Sequence, residues 1–569
     1  MTFTFKKIRN FILPSRPDPS RSRRIAEVRL IIGCLLAFSV FVIIGVRIVD
    51  LADTKVVNPL PSKGLGIRAE RGRILDRKGL MLAGNLPITL LHADPSEIMD
   101  VNQAASKLAP LLKHHDKESL RALLIKDTRY VELDRQLTPK RHAQILQLGI
   151  PGVYFAEDSV RVYPRDHNAA HILGFVDTDN KGIAGVEKSM NNKLESGEDV
   201  TLSIDIGLQA IIRHEIQKQI DSFQAIGGAG ILLDIETGEM LTMVSLPDFN
   251  PNRFSSVKDQ TRFNRATKGL YEMGSTFKVL NTAIALESGA AKANQRFEVS
   301  EPLRRSRYTI TDYHPHKKPL NVPEILVYSS NIGSALIAEA IGAGTQQAFM
   351  EKLGLFDRLK LEIPETSKPL APKHWHRTTT VTVSYGHGIS ISPAHLASAV
   401  AAASGNGYWI QPTLLRRWTN DNPLKLKVFS EQTAKAVRSM MRLVVSHNDG
   451  TGNKAEAHGY MVGGKTGTAE KIQVGGYNEK ANLAIFVATF PVHDPRFVIV
   501  VLVDEPKGQK HSHGYTTAGW VAAPAIRRIV EQIAPMLGIH PVDEKLPSIR
   551  QKLMLDFKIG NEEATLASY

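Results

Sequence analysis

Leu30 to Val46 is a run of 17 residues without a charge, closed on either side by Arg29 and Arg47. As a helix rising about 1.5 Å per residue, it meets the short limit for crossing a bilayer. Ile25 and Val28 before it, and Ile48, Val49 and Leu51 after it, extend the apolar character, and Arg47 has a stem long enough to snorkel. A cleaved signal peptide would have an apolar region of about 7–15 residues with a small-x-small site close behind. This run is longer and no such site follows, so residues 30–49 are expected to be an uncleaved anchor. Residues 1–29 carry eight basic side chains against Asp18 and Glu27. A basic flank ahead of a spanning helix keeps the N-terminus cytoplasmic and sends the rest of the chain outside.

That flank also disposes of a nucleic-acid reading. The net charge is +14, of which +6 lies in residues 1–29, leaving +8 over the other 540 residues with no dense basic cluster and no nucleic-acid module. The basic tail suits a membrane surface instead. Cys34 is the one cysteine, so no intramolecular disulfide can form. A chain of 569 residues exceeds one ordinary core and predicts about three to four domains.

Past the anchor, residues 50–200 read as a mixed α/β spacer. Ile67 to Ala83 gives two extended stretches around the turn Asp76-Arg77-Lys78-Gly79. Helical patterns follow near 101–113, 117–125 and 138–147, then a strand-like segment after Pro151-Gly152. Its arginines and carboxylates are expected to be surface pairs. Residues 201–540 differ. A helix with Leu208, Ile211, Ile212, Ile216 and Ile220 on one side precedes strands at Gly228–Leu233 and Glu239–Leu246. Three more strands, Met461–Glu470, Ala481–Phe490 and Arg496–Asp504, come far downstream, before a helix at Ala518–Leu537. Strands at both ends of a region, with helices between, predict one sheet covered on both faces, an α/β/α sandwich. Residues 541–569 read as a loosely held tail.

Three short motifs carry the chemistry, and each alone is weak. Ser275-Thr276-Phe277-Lys278 is an S-x-x-K, but Ser255…Lys258 matches too, and the pattern ordinarily means a capping serine and a solvated lysine. Ser329-Ser330-Asn331 is an S-x-N, as are Ser189…Asn191, Ser404…Asn406 and Ser446…Asn448. Lys465-Thr466-Gly467 occurs once. Context adds weight. Ser275 follows Gly274 and opens a helical run, placing its hydroxyl among unpaired backbone N–H groups with Lys278 one turn on. A lysine can serve as base to a serine if burial and a second cation lower its pKa. Ser329 and Asn331 fall where a loop between helices could turn both into a cleft. Glycines around Lys465-Thr466-Gly467-Thr468 permit close approach to a strand whose edge could take an extended peptide.

The ordered set S-x-x-K, S-x-N, K-T-G is similar to the penicillin-binding protein and serine β-lactamase superfamily. Arg71-Gly72-Arg73-Ile74-Leu75-Asp76-Arg77-x-Gly79, Asn264-Arg265-Ala266 and Lys465-Thr466-Gly467-Thr468-Ala469-Glu470 resemble class B penicillin-binding proteins, and within them the division-specific FtsI type. The resemblance spans roughly residues 30–540, with Met273 standing where many relatives carry proline. It implies a fold of α/β plus α+β parts: one transmembrane helix, a mixed α/β pedestal, and an α/β/α transpeptidase domain with a mainly antiparallel sheet. It further implies that Ser275 attacks a D-Ala carbonyl of a stem peptide, Lys278 acts as base, and Ser329 relays a proton to the leaving D-Ala. Asn331 would bind the substrate amide, and Lys465 and Thr466 the terminal carboxylate. Gly467 would admit the substrate backbone, and the N–H groups of Ser275 and Thr468 would form the oxyanion hole.

No cofactor is implied. Implied partners are peptidoglycan stem peptides, lipid-linked or nascent glycan, β-lactams, the membrane, and an FtsW-type glycan polymerase with other division proteins at the septum. The same motifs also suit a lateral-wall transpeptidase, a D-Ala-D-Ala carboxypeptidase or β-lactamase, or a β-lactam sensor. A non-catalytic scaffold fits less well with Ser275, Lys278 and Lys465 all present. Histidine pairs at 314/316, 374/376 and 511/513 would share a face on a strand, but no zinc-type spacing accompanies them, so no metal is expected. The loop from Gly508 to Gly514 is expected to border the cleft.

Overall fold

A long helix, α1 (Pro19–Asp53), carries the apolar run. The computed structural model describes residues 19–53, 70–256, 259–305, 308–418, 421–473, 476–553, 558–559 and 562–563. Most of the basic tail, the start of the stretch from Ile67 and the decoy Lys258 lie outside them. The chain divides into two units, Met1–Arg68 and Ala69–Tyr569. In the first, α1 runs 35 residues, and Val28–Gly45 is long and apolar enough to span a membrane. The helix extends beyond the apolar run at both ends because flanking residues such as Arg, Ala and Glu are good helix formers once water is available. Ser39 Oγ donates to the Leu35 carbonyl at 2.8 Å, so its hydroxyl is satisfied within the helix.

The second unit opens with β1 (Ile74–Leu75) and β2 (Met81–Ala93), joined by the turn read from the sequence. Asp76 Oδ1 accepts from the N–H groups of Lys78 and Leu80, both at 2.8 Å, and Gly79 takes φ +83°. β3 (Val131–Leu137), β4 (Val153–Val162) and β5 (Val200–Thr201) complete this sheet, in the order β3-β2-β1-β5 with β4 along the other side of β2. Helices Val101–Leu108, Lys117–Leu124 and Pro139–Gln147 fall where the periodicity predicts, N-capped by Asp100, Asp116 and Thr138.

The expectation of surface ion pairs here is half right. Arg73 meets Asp199 in the open at 2.7 Å. Glu187, however, is fully buried and bridges Arg71 and Arg161, each at 2.7 Å. Both oxygens are used, Tyr163 adds a hydroxyl at 3.3 Å, and Arg161 also donates to the Gly72 carbonyl at 2.8 Å. Planar guanidinium forks satisfy a carboxylate without water, which is what makes such burial tolerable.

From β5 the chain enters α2 (Ile206–Phe223), capped by Asp205, then β6 (Gly227–Asp234) and β7 (Met240–Leu246). The helical block holds α3 (Phe277–Glu287), α4 (Val322–Val327), α5 (Asn331–Ile341), α6 (Pro393–Ser404) and α7 (Glu431–Ser446). β8 (Gly463–Gln473), β9 (Gly476–Phe490) and β10 (Phe497–Asp504) return to the sheet, and α8 (Ala523–Met536) closes it. The order is β8-β9-β10-β6-β7, antiparallel throughout. Alternate residues split between two cores, as the period of 2 requires. Ile499, Val501 and Val503 pack with Ile212, Ile216, Ile526 and Ile529 on one face. Val498, Val500 and Leu502 pack with Val279, Ala283, Leu396 and Met440 on the other. This is the α/β/α sandwich with an antiparallel sheet.

The C-terminal stretch is more firmly held than its composition suggests. Ile549 and Leu553 pack on Met461 and Val492 under the start of β8, and Glu544 pairs with buried Arg442 at 2.6 Å. Substituting Glu187→Ala leaves two buried guanidiniums unpaired and should cost about 3–5 kcal/mol in denaturant unfolding of the solubilised chain. Arg73→Ala should leave the unfolding midpoint unchanged.

Candidate active site

α3 is the buried axis of the catalytic unit, with Phe277 to Ala285 all enclosed. A single 3-10 turn, Gly274–Thr276, precedes it, so Ser275 sits just ahead of the helix rather than within its first turn. Ser275 alone in this stretch is half-buried and reachable. Met273 is fully buried, and its carbonyl accepts from Thr276 Oγ1 at 2.9 Å, so the turn forms without proline. The turn is locked against β8 by two glycines. A Cβ on Gly274, at φ +53°, would lie 2.8 Å from the Thr468 carbonyl oxygen, and one on Gly467 would lie 2.5 Å from that of Met273.

Ser329 lies in the loop between α4 and α5 with φ +60°. The left-handed region costs a serine roughly 1–2 kcal/mol, and surrounding bonds hold it there. Ser330 Oγ caps α5 by accepting from Gly333 N at 2.9 Å and donates to Asp312 Oδ2 at 2.6 Å. Asp312 Oδ1 accepts from Ile332 N at 3.0 Å, a carboxylate at a helix N-terminus. Lys465 lies on β8, the edge strand of the sheet.

These three segments meet at one amine. Lys278 Nζ lies 3.0 Å from Ser275 Oγ, 3.1 Å from Ser329 Oγ, 2.6 Å from the Ser329 carbonyl oxygen and 2.8 Å from Asn331 Oδ1. An ammonium has three hydrogens and no lone pair. The neutral amine has two hydrogens and one lone pair. Its two hydrogens go to the carbonyl oxygens of Ser329 and Asn331, which can only accept, and its lone pair is left for a hydroxyl. Lys278 is 1% exposed, and burial lowers its pKa to about 7, against the opposing pull of Asp312. Lys465 donates to Ser329 Oγ at 3.0 Å and to Thr466 Oγ1 at 3.1 Å. It is wholly buried, and desolvation with the nearby Lys278 charge pushes its pKa well down. Thr466 Oγ1 donates to Thr451 Oγ1 at 2.9 Å, and Thr468 Oγ1 accepts from Ala518 N at 3.2 Å.

Ser275, Lys278, Ser329, Asn331, Lys465 and Thr466 therefore form one hydrogen-bonded set, with Gly467 and Thr468 packed against the serine's turn. Asp312 and Thr451 belong beside them and were missed. Neither has a motif, since each reaches the site only through tertiary contacts. Of the histidines, His511 meets Phe223 edge-on at 4.9 Å and His513 meets Trp520 edge-on at 5.4 Å, because a 3-10 turn, not a strand, separates them. The Gly508–Gly514 loop thus packs partly on the end of α2. Among the described residues no group of His, Cys, Asp or Glu is arranged to hold a metal ion.

Fold and site together define a serine acyltransferase of the penicillin-recognising class. Residues 228–531 match the penicillin-binding protein transpeptidase domain, and residues 66–204 the penicillin-binding protein dimerisation domain. The probable peptidoglycan D,D-transpeptidase FtsI of Caulobacter vibrioides is 38% identical over 486 residues, 83% of this chain and 82% of that protein. The Escherichia coli K12 peptidoglycan D,D-transpeptidase FtsI is 29% identical, covering 84% of this chain and 85% of its own. The crystal structure of penicillin-binding protein 3 from Mycobacterium tuberculosis, complexed with aztreonam, shares the fold. Its TM-score is 0.68 at 22% identity, over 84% of this chain and 98% of that one. The chain belongs to the penicillin-binding protein family and is a serine-type D,D-transpeptidase.

Asp312 raises the pKa of Lys278, so removing its charge should lower that pKa further. In Asp312→Asn, the pH midpoint of the penicillin acylation rate is expected to fall below that of the unaltered protein. A stopped-flow pH series measures it.

Proposed function

We propose that this chain cross-links peptidoglycan stem peptides through an acyl-enzyme on Ser275. The observation that carries the reading is the Lys278 amine, desolvated toward a pKa of about 7 and 3.0 Å from Ser275 Oγ. The neutral amine takes the Oγ proton as Oγ attacks the penultimate D-Ala carbonyl. Backbone N–H groups of Ser275 and Thr468 hold the developing oxyanion, a contribution of about 3–4 kcal/mol per donor in model enzymes. Ser329, bonded to both lysines, passes the proton to the leaving D-Ala nitrogen. Asn331 holds the substrate amide. Lys465 and Thr466 receive the terminal carboxylate, whose negative charge favours the protonated form of Lys465. The substrate backbone lies along the open edge of β8, which Gly467 brings up against the Ser275 turn. An amine of a second stem peptide then replaces D-Ala. A β-lactam would acylate the same serine.

The setting we infer is the division septum. The similarity to FtsI transpeptidases supports it, as does α1, the one helix among the described residues long and apolar enough to span a membrane, behind a basic tail. In this reading the N-terminus is cytoplasmic, the catalytic unit acts outside the cytoplasmic membrane, and an FtsW-type glycan polymerase supplies the strands.

Labelled penicillin should attach at Ser275, located by mass spectrometry of the digested adduct. Ser275→Ala should abolish attachment, and an adduct elsewhere would refute the assignment. Lys278→Ala should slow acylation by roughly 10²–10⁴-fold, the usual weight of a general base, with the melting temperature retained. Because the neutral amine is the working form, the acylation rate should rise with pH up to about 7 and level off above it.

A further inference from the structure

A cleft of about 720 Å³ adjoins the site on the side of Thr451 and Tyr328. Its volume is in the range of ligand sites. Two of its walls touch the machinery already described. Thr451 accepts the hydrogen bond of Thr466, and Tyr328 immediately precedes Ser329. The chemistry of the remaining lining is that of an anion receptor. Lys317 and Lys318 are exposed and, among the described residues, neither makes an ion pair or side-chain hydrogen bond. Arg296 lies 3.5 Å from Glu324, whose carboxylate also accepts from Asn321 N at 2.7 Å, so that pair is internally committed. Asp449 is the other carboxylate of the lining. The His316 ring lies tilted against Tyr328 at 4.8 Å, and its Nε2 is buried with no hydrogen-bond partner among the described residues. A buried polar atom without a partner is uncommon and costs stability unless something else satisfies it.

Microscopic reversibility says which substrate arrives here. The incoming amine must take the position that the leaving D-Ala nitrogen vacates, and the leaving residue's carboxylate lies at Lys465 and Thr466. The body of the acceptor therefore extends past Thr466, toward Thr451. We propose that this cleft binds the acceptor: an amine-bearing peptide whose own carboxylate is held by Lys317 and Lys318, with His316 Nε2 as a further polar contact. The proposal rests on the transpeptidase reading above and names the second substrate's subsite. In the step it serves, the acceptor nitrogen lone pair forms a C–N bond to the ester carbonyl carbon. The bond from that carbonyl carbon to Ser275 Oγ breaks, and one amine proton passes by way of Ser329 and the Lys278 amine to Ser275 Oγ. Amide and free serine are the products, with no other reactant consumed.

The test uses the full-length chain in detergent, a D-alanyl thioester as acyl donor, and two acceptors. One is soluble stem peptide from digested wall. The other is the same peptide with its carboxylates converted to primary amides. Cross-linked and hydrolysed products are separated by chromatography, and labelled penicillin measures acylation independently. For the Lys317→Ala/Lys318→Ala double variant, the acceptor KM for the acidic peptide should rise about tenfold or more, the effect of losing one charge-assisted hydrogen bond. The KM for the amidated peptide should not move, and Lys317→Arg/Lys318→Arg should restore the acidic preference. Penicillin acylation reports that each variant is folded. Equal KM changes for both acceptors, or none for either, would overturn the proposal, as would transfer to neither acceptor by the unaltered protein. Failure of penicillin to acylate the unaltered protein would strike the transpeptidase reading itself.

Discussion

An amine kept away from water is the constraint on which the site depends. Lys278 enters the core on α3, and desolvation takes away its usual preference for the charged form. Once neutral, it has two hydrogens and one lone pair to place. The hydrogens need acceptors, and the Ser329 carbonyl and Asn331 amide oxygen supply them at 2.6 and 2.8 Å. That demand explains why a serine is held at φ +60° between two helices, and why Asp312 and Ser330 fasten the start of α5. The lone pair is what remains for Ser275.

The second amine follows from the sheet. β8 is an edge strand, so its outer backbone groups stay open while its side chains alternate between the cores. Lys465 is thereby brought under Ser329, close enough to Lys278 that the Lys278 charge disfavours its own. Glycine at 274 and 467 allows the serine's turn and the strand to approach to a distance no Cβ would permit. Just ahead of β8, Arg442 donates to the Val462 carbonyl at 2.8 Å while pairing with Glu456 and Glu544, tying the C-terminal stretch to the start of the strand.

The pedestal is built on the opposite principle, charges buried in pairs rather than neutralised. Glu187 gathers Arg71 and Arg161 from distant parts of the chain into one cluster. Arg77, from the same motif as Arg71, reaches Glu239 at 3.4 Å, and its carbonyl accepts from Arg416 at 2.8 Å. One short arginine-rich segment thus organises the pedestal and joins it to the catalytic part.

Much of this was legible in the sequence because it rests on local periodicity and local chemistry. The apolar run dictates a helix that suits lipid. The unbroken, mostly β-branched run at Val498–Val503 dictates a strand buried on both faces, and the three-residue spacing of Ser275 and Lys278 dictates that they lie one turn apart. The ordered motifs singled out, among several decoys, a serine and two lysines that the structure joins in one hydrogen-bonded set. What only the tertiary structure decided are contacts between residues far apart in the chain. Asp312 is an unremarked carboxylate until α5 is set upon it, and Thr451 until it meets Thr466. Glu187 reads as a surface acid until two arginines enclose it. Lys278 and Lys465 are ordinary cations on paper. Their lowered pKa values come from desolvation, and for Lys465 also from the Lys278 charge, and neither effect exists until the fold has closed around them.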